Sequence, residues 1–598
     1  MPQYSQYHLV DLLRERIQAF QDKIALRYSA KEAADISWTN LGQQVEQLAL
    51  ALLEAGLEVQ GRVAIFARNM PEWTIADLAT LWCRGVTVPV YATNTSGQTA
   101  YILRDAGVRL IFVGEQAQYD AVLALEAEYP DLQRIVVIDD AVNLKGCAKA
   151  CYLKEFISND NSRHKPELAE RLSNTNLDDL LTLIYTSGTT GEPKGVMLDY
   201  RNFAAAIKLH DSRLTLTEDD ISLCFLPLSH IFERAWTYYS LYKGATNVYM
   251  RDPGAIKDVL PEVRPTVMCA VPRFFEKIHT AILAKVETAK PAQRKIFNWA
   301  IGVGEQNFKV SQQGRTPNAM LKLQLAIAEK LVFSKLRAAL GGRIRFMPCG
   351  GARLEPDINL FFQSIGLFVT IGYGLSETTA TISCYDQNNF RFGTVGTPLP
   401  SVKMRIGEDN EIQVKADTVM RGYYNKPEAN AEAFTEDGWF RTGDAGYIDE
   451  HGSIVMTERL KDLMKTSGGK YIAPQAVEGA LVRDSFVEQV AVIADARKYV
   501  SALIVPAFEA LEDYAHSVGV KFENRVDLIR NSHIQEMFHK RLESIQAELA
   551  RFEQVKKFTL LPREFSLEKG EVTPTMKLRR KVILERFRKE IDAMYTRG

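Results

Sequence analysis

Short, apolar, β-branched runs recur along the first part of the chain: RVAIFA (62–67), GVTVPVY (85–91), RLIFVG (109–114) and RIVVID (134–139). Segments such as TAYILRDAG, whose apolar positions fall at helical spacing, separate them. Strands alternating with helices predict α/β layers. Between 282 and 340 glycine is sparse and Lys, Gln, Ala and Leu dominate, which predicts a helical region ending at Gly341-Gly342. From about 400 the pattern turns to strands and turns (KMRI, NEIQVK, GYIDEHGSIVM), and after Arg459 it returns to α/β. The expected fold is therefore α/β. A large N-terminal domain, 1–458, holds layered α/β subdomains plus a β-rich subdomain, and a small α/β domain, 459–598, follows.

Composition narrows the function classes. A chain of 598 residues with 46% hydrophobic and 25% charged residues resembles a large soluble enzyme with at least two cores. A formal net charge of -1 provides no global field for nucleic acid, so an anionic ligand must be held by a local site. The most apolar helical stretch, Leu321 to Leu340, contains Lys322, Glu329, Lys330, Lys335 and Arg337, so no membrane span is expected. Asp11, Arg14 and Glu15 interrupt the first apolar stretch, and seven cysteines show no CxxC spacing. The expectation is a cytoplasmic protein with reduced thiols.

The stretch YTSGTTGEPKG (185–195) crowds hydroxyls, glycines and one lysine behind an apolar strand, TLIY. It fails the Walker template, because Lys194 follows Pro193 and precedes Gly195. Ser187, Gly188, Thr189, Thr190 and Gly191 nevertheless offer hydroxyls and closely approaching N–H groups, and Lys194 a cation, which suit a polyphosphate. Alone, such a loop is more often a flexible turn. Further on stand CGGARLEP (349–356), GYGLSETTA (372–380), GWFRTGDAGYIDEHG (438–452), ERLKDLMKTSGGKYIAP (458–474) and TPTMKLRR (573–580).

In order and spacing these motifs resemble the AMP-forming acyl-CoA synthetases, an adenylating superfamily, over nearly the whole chain. Within it, DGWFRTGD, KTSGGKYIAP and the helical insertion at 282–340 are most similar to long-chain fatty-acid–CoA ligases. The resemblance implies a two-step reaction: a carboxylate attacks the α-phosphate of ATP to give acyl-AMP and pyrophosphate, and the thiol of CoA then displaces AMP. An adenylate-forming ligase for another acid, or for an acceptor other than CoA, is the alternative.

The resemblance also assigns residues. The loop Thr186 to Gly191 with Lys194 would hold the leaving phosphates, and Glu377, with Thr186 as second ligand, would bind Mg2+. Glu377 behind Ser376 also suits a helix N-terminus. Tyr373 matches an adenine-stacking aromatic, Gly374 and Thr378 flank it, and Gly350, Gly351 and Ala352 match a small-residue wall between nucleotide and acyl group. Asp444 matches a ribose ligand and Arg459 a ribose or phosphate contact. His230, in PLSHIFER, stands where the family keeps a residue near the acyl carboxylate, with Glu233 and Arg234 read as structural. Lys577 matches the lysine that reaches carboxylate and α-phosphate during adenylation. Lys461 matches a hinge about which a mobile C-terminal domain turns, bringing Ser467, Gly468 and Gly469 to the CoA channel. Glu458, where many relatives have Gly or Asp, and TPTMK in place of TxSGK depart from the wider pattern. The implied partners are a long-chain fatty acid, ATP and CoA, with peripheral contact at the inner face of a membrane because such acids partition there.

Overall fold

The apolar runs of the first segment pair as expected. In the computed structural model, which describes residues 4–29, 34–186, 192–387, 390–547, 549–573 and 577–596, strands Arg62–Phe66, Val86–Val90, Leu110–Val113 and Arg134–Val137 are parallel neighbours in an eight-stranded sheet. Val86–Val90 also pairs in parallel with Leu180–Thr186, which runs antiparallel to Lys194–Asp199. Both faces of such a sheet must be covered, which is why these strands lack polar alternation. Thr186 and Lys194 are register partners at the end of that last pair, so the YTSGTTGEPKG loop joins two adjacent strands; its residues 187–191 lie outside the described set.

A second parallel group, Ile24–Tyr28, Thr246–Tyr249 and Ile221–Cys224, is linked through bridges at Val267 to Phe346–Cys349, itself parallel to Phe368–Tyr373. The strand-rich stretch beyond 400 forms an antiparallel sheet of Lys403–Ile406, Glu411–Lys415, Phe440–Ile448 and Ile454–Arg459. Residues 464–594 supply an apolar core of their own around strands Val487–Ile493, Ser501–Pro506 and Lys557–Leu560. Arg483 donates to Glu355, Arg273 donates to Glu488, and Lys277 lies 3.3 Å from Glu488, so ion pairs fasten this last unit to the rest.

The insertion is helical, as its composition implies, but starts earlier, at Pro272. It comprises Pro272–Glu287, Pro291–Gln312 and Ala319–Ala328, and a π-helical turn at Glu329–Phe333 separates the last of these from Ser334–Ala338. Pro272 and Pro291 occupy first-turn positions, where a missing N–H leaves no bond unmade.

Helix Ile231–Tyr242 is pinned to helix Pro71–Trp82 by a buried charge pair and to the main sheet through Thr182. Arg234 donates to both carboxylate oxygens of Asp77, at 2.6 and 3.0 Å, and to Thr182 Oγ1 at 2.6 Å, while the Tyr238 hydroxyl donates to Asp77 at 2.5 Å. Every donor that matters has an acceptor, so the charges are tolerated; removing one would strand the other. Arg234→Met is expected to destabilise the protein by about 3–5 kcal/mol, with Asp77→Leu/Arg234→Met recovering much of the loss. Scanning calorimetry reads this as a lowered Tm; a single variant melting like wild type would show that the pair is not a structural anchor.

Candidate active site

One cavity of about 860 Å³ lies where the sheets converge, and Leu567, Gly570, Val572, Thr573, Lys577 and Arg579 of the C-terminal unit close one side of it. Its wall has two chemical characters. Thr186, Lys194, Glu377, Tyr423, Arg459 and Lys577 form a polar part. The other part is apolar. Phe203, Ala206 and Ile207 come from one face of helix Tyr200–His210, and Ile231, Ala235 and Tyr239 from one face of helix Ile231–Tyr242. The spacings i, i+3, i+4 and i, i+4, i+8 are those that place side chains in a row on a helix.

Lys577 is a cation that the C-terminal unit brings to the wall. The Thr573 N–H donates to its carbonyl at 2.7 Å and its own N–H donates to Thr573 Oγ1 at 3.0 Å, which fixes the backbone that presents it. Solvent reaches its side chain through the cavity, yet protein surrounds it. That desolvation, with Arg459 as a like charge, holds its ammonium pKa down to about 8, while Asp444, Asp462 and Glu377 oppose the shift. His230 caps helix Ile231–Tyr242, its Nδ1 accepting from the Phe232 N–H at 3.1 Å. Desolvation, with Lys577 as a nearby cation, pushes its pKa down to about 3. At neutral pH the ring is thus uncharged, and with Nδ1 committed as acceptor the proton sits on Nε2, a donor for an incoming oxygen.

Glu377 lies in a short helical turn, Ser376–Thr378, after strand Phe368–Tyr373. The next two residues, Thr379 and Ala380, adopt left-handed φ values of 52° and 68°, unusual for residues with a Cβ and worth on the order of 1–3 kcal/mol of strain each. Surrounding bonds hold the turn: Thr379 Oγ1 donates to the Thr418 carbonyl at 2.7 Å, and the Met420 N–H to the Glu377 carbonyl at 2.8 Å. Gly374 is required there, since a Cβ would sit 1.5 Å from the Ala380 carbonyl oxygen. The Tyr423 hydroxyl donates to Glu377 Oε1 at 2.8 Å, and Lys194 Nζ lies 4.9 Å from the centre of the Tyr423 ring. Tyr423 was not among the residues expected from the motifs; it stands in the RGYYN stretch and carries no signal of its own.

Gly350, Gly351, Tyr373 and Gly374 also lie on the wall. Asp444 is buried beside it, accepting from the Tyr373 hydroxyl at 2.8 Å and from Arg459 Nε at 3.0 Å. Other expected residues stand elsewhere. Ala352 is exposed and off the wall, and the Thr378 hydroxyl accepts from the Leu375 N–H at 2.9 Å within its own turn. Ser467, Gly468 and Gly469 form the turn of the hairpin Met464–Lys465/Tyr471–Ile472, away from the cavity, with the Ser467 N–H donating to the Arg497 carbonyl at 2.9 Å. Lys461 lies in the turn Leu460–Asp462; its side chain is outside the described residues. Glu233 is fully buried and accepts from the Leu226 N–H at 3.1 Å, a brace for the segment leading to His230, and desolvation pushes its pKa up to about 8.

The family described as AMP-binding enzyme matches residues 13–424, and the AMP-binding enzyme C-terminal domain matches residues 461–598. The chain belongs to the AMP-binding enzyme family. Relatives within it include the long-chain-fatty-acid–CoA ligase FadD15 of Mycobacterium bovis, 34% identical over 94% of this chain and 92% of that protein. The peroxisomal long chain acyl-CoA synthetase 7 of Arabidopsis thaliana is 30% identical over 94% of this chain and 82% of its own length. Among solved structures, the anthranilate CoA ligase AuaEII in complex with anthranoyl-AMP shares the fold, with a TM-score of 0.74 at 16% identity over 98% of both chains. As an AMP-binding enzyme, this chain has the mixed α/β architecture expected of it, with a large N-terminal and a smaller C-terminal unit.

Proposed function

We propose that this AMP-binding enzyme activates a long-chain fatty acid with ATP to acyl-AMP and pyrophosphate, then passes the acyl group to CoA, releasing AMP. The observation that carries the reading is the convergence of Lys577, His230 and Glu377 on one cavity that continues into an apolar wall. The relatives named as long-chain-fatty-acid–CoA ligases favour the same substrate class. Lys577 would neutralise the acyl carboxylate as it meets the α-phosphorus, and the neutral His230 would donate from Nε2 to that carboxylate. Tyr373 and Gly374 would flank the adenine, and Asp444 and Arg459, now paired, would exchange part of that bond for the ribose hydroxyls. Lys194 and the segment 186–191 would hold the β- and γ-phosphates.

Glu377 and Thr186 are hard oxygen donors on the same wall as Lys194, which suits Mg2+ shared between protein, water and phosphates. The ion would supply charge neutralisation at the phosphates. Tyr423→Phe, which removes the hydrogen bond orienting Glu377, is expected to raise the Mg2+ concentration needed for half-maximal adenylation by about tenfold, as supporting partners of metal ligands do. Titration of pyrophosphate release against Mg2+ checks this, and an unchanged midpoint would remove Tyr423 from that role.

For the second step, residues 459–598 would turn as a unit about Lys461, taking Lys577 away and bringing Ser467, Gly468 and Gly469 to the cavity. The separate apolar core of 464–594 supports motion as one body.

The deciding experiment incubates the protein with ATP, Mg2+ and palmitate, with and without CoA, and identifies the products. AMP, pyrophosphate and palmitoyl-CoA are expected. ADP would overturn the adenylation chemistry, and acyl-AMP without CoA turnover would favour another acceptor.

A further inference from the structure

The helical insertion has an outer face that the cavity does not use. Among the described residues fifteen large apolar side chains are exposed, and seven of them fall within residues 272–338. Met320, Leu323 and Ile327 lie at i, i+3 and i+7 on helix Ala319–Ala328, and at 100° per residue they share an arc of about 60°. Leu331 extends the row into the turn Glu329–Phe333. Met320 is 65% and Leu323 59% exposed, whereas Leu321, Ala328, Val332 and Phe333 from the same stretch are buried. The segment is therefore amphipathic twice over, with one apolar side in the core and another in water. A single exposed leucine needs no explanation, but a row of four does.

Charge says what could cover it. Residues 272–338 contain twelve Lys and Arg against four Glu, a formal excess of eight positive charges in a chain whose total is -1. Lys330 and Lys335, both exposed, stand beside Leu331 in sequence. Among the described residues no helix is long and apolar enough to cross a membrane. A second copy presenting the same face would set two cationic surfaces against each other.

We propose that this face docks on an anionic lipid surface, with Met320, Leu323, Ile327 and Leu331 entering the acyl boundary and the surrounding lysines meeting the headgroups. The docking does not depend on the reaction proposed above and is tested without substrate. Flotation compares vesicles of phosphatidylcholine alone with vesicles in which a third of the lipid is phosphatidylglycerol. Wild type is expected to float with the anionic vesicles, at least tenfold more weakly with the neutral ones, and to be released by high salt. The variant Met320→Ser/Leu323→Ser/Ile327→Ser/Leu331→Ser is expected to lose at least tenfold in binding with an unchanged Tm. Lys330→Glu/Lys335→Glu, which alters no apolar contact, is expected to weaken binding too, and Val518→Ser/Val526→Ser, exposed apolar positions elsewhere, to leave it unchanged. Wild type that fails to float, a serine variant that folds and floats like wild type, or a wild-type dimer that the serine variant converts to monomer would each overturn the proposal.

Discussion

Replacing Lys577 by alanine is expected to slow acyl-adenylate formation by two to three orders of magnitude while leaving the transfer of a supplied acyl-adenylate to CoA within a few fold of wild type. A unit charge about 4 Å away at an effective dielectric near 20 is worth roughly 4 kcal/mol, part of which desolvation offsets, and each 1.4 kcal/mol is a factor of ten in rate. The pH profile supplies a second signature. The ammonium pKa is held near 8, so the charged form required for adenylation is lost as pH rises through that value. The kcat/KM of pyrophosphate release, which reports the free enzyme, should therefore fall above about pH 8, approaching tenfold per pH unit. His230, near 3, contributes no limb in this range. Lys577→Arg, which remains charged, should flatten the alkaline limb at a reduced plateau. The assay is single-turnover adenylation beside thioester formation from synthetic palmitoyl-AMP. Equal loss in both half-reactions, or an unmoved alkaline limb in Lys577→Arg, would remove Lys577 from the reacting centre.

That lysine was legible in the sequence because TPTMKLRR stands at a known distance behind the other motifs; its depressed pKa was not, since desolvation by the surrounding protein and the like charge of Arg459 are properties of the folded chain. The strands of the main sheet were legible for a simpler reason. A parallel sheet covered on both faces needs uninterrupted apolar runs, and such runs are visible. Contacts between distant segments leave no such trace. The Tyr423 hydroxyl meets Glu377 across 46 residues, and Arg234 meets Asp77 across 157, so neither partnership follows from local pattern. PLSHIFER shows this within one motif. His230 faces the cavity, Glu233 braces the segment before it and Arg234 anchors the helix behind it, three directions set by helical geometry. The helical insertion was expected from composition, but the π-helical turn at Glu329–Phe333 was not, because no Gly or Pro marks it. Thr378 and Ala352 show the converse. A family motif fixes the course of a loop, and side chains within it can serve that course instead of the ligand: the Thr378 hydroxyl is occupied by its own turn.

The apolar wall leads to the second large effect. Ala235 lies on the cavity between Ile231 and Tyr239 on one helix face, and Phe203, Ala206 and Ile207 line the wall from a second helix. Alanines at 206 and 235 leave room that larger side chains would fill. If this part of the cavity takes the acyl chain, Ala235→Phe should deny burial to its distal methylenes while leaving the carboxylate end, at His230 and Lys577, undisturbed. Each methylene left unburied costs about 0.8 kcal/mol, so excluding four or five costs about 3–4 kcal/mol, on the order of 10²–10³-fold in kcat/KM. The loss should be confined to long acids. Octanoate activation should stay within a few fold of wild type, palmitate should fall by the full amount, and the optimum across a C6 to C20 series should move to shorter chains. The measurement is pyrophosphate release for each acid at limiting concentration, with KM for ATP as an internal control, since Tyr373, Gly374 and Lys194 lie on other elements. A uniform loss at every chain length would mean that the ring disturbs the helix carrying His230. An unchanged palmitate rate would mean that the acyl chain leaves the reacting centre by another route, and the apolar wall would then need a different occupant.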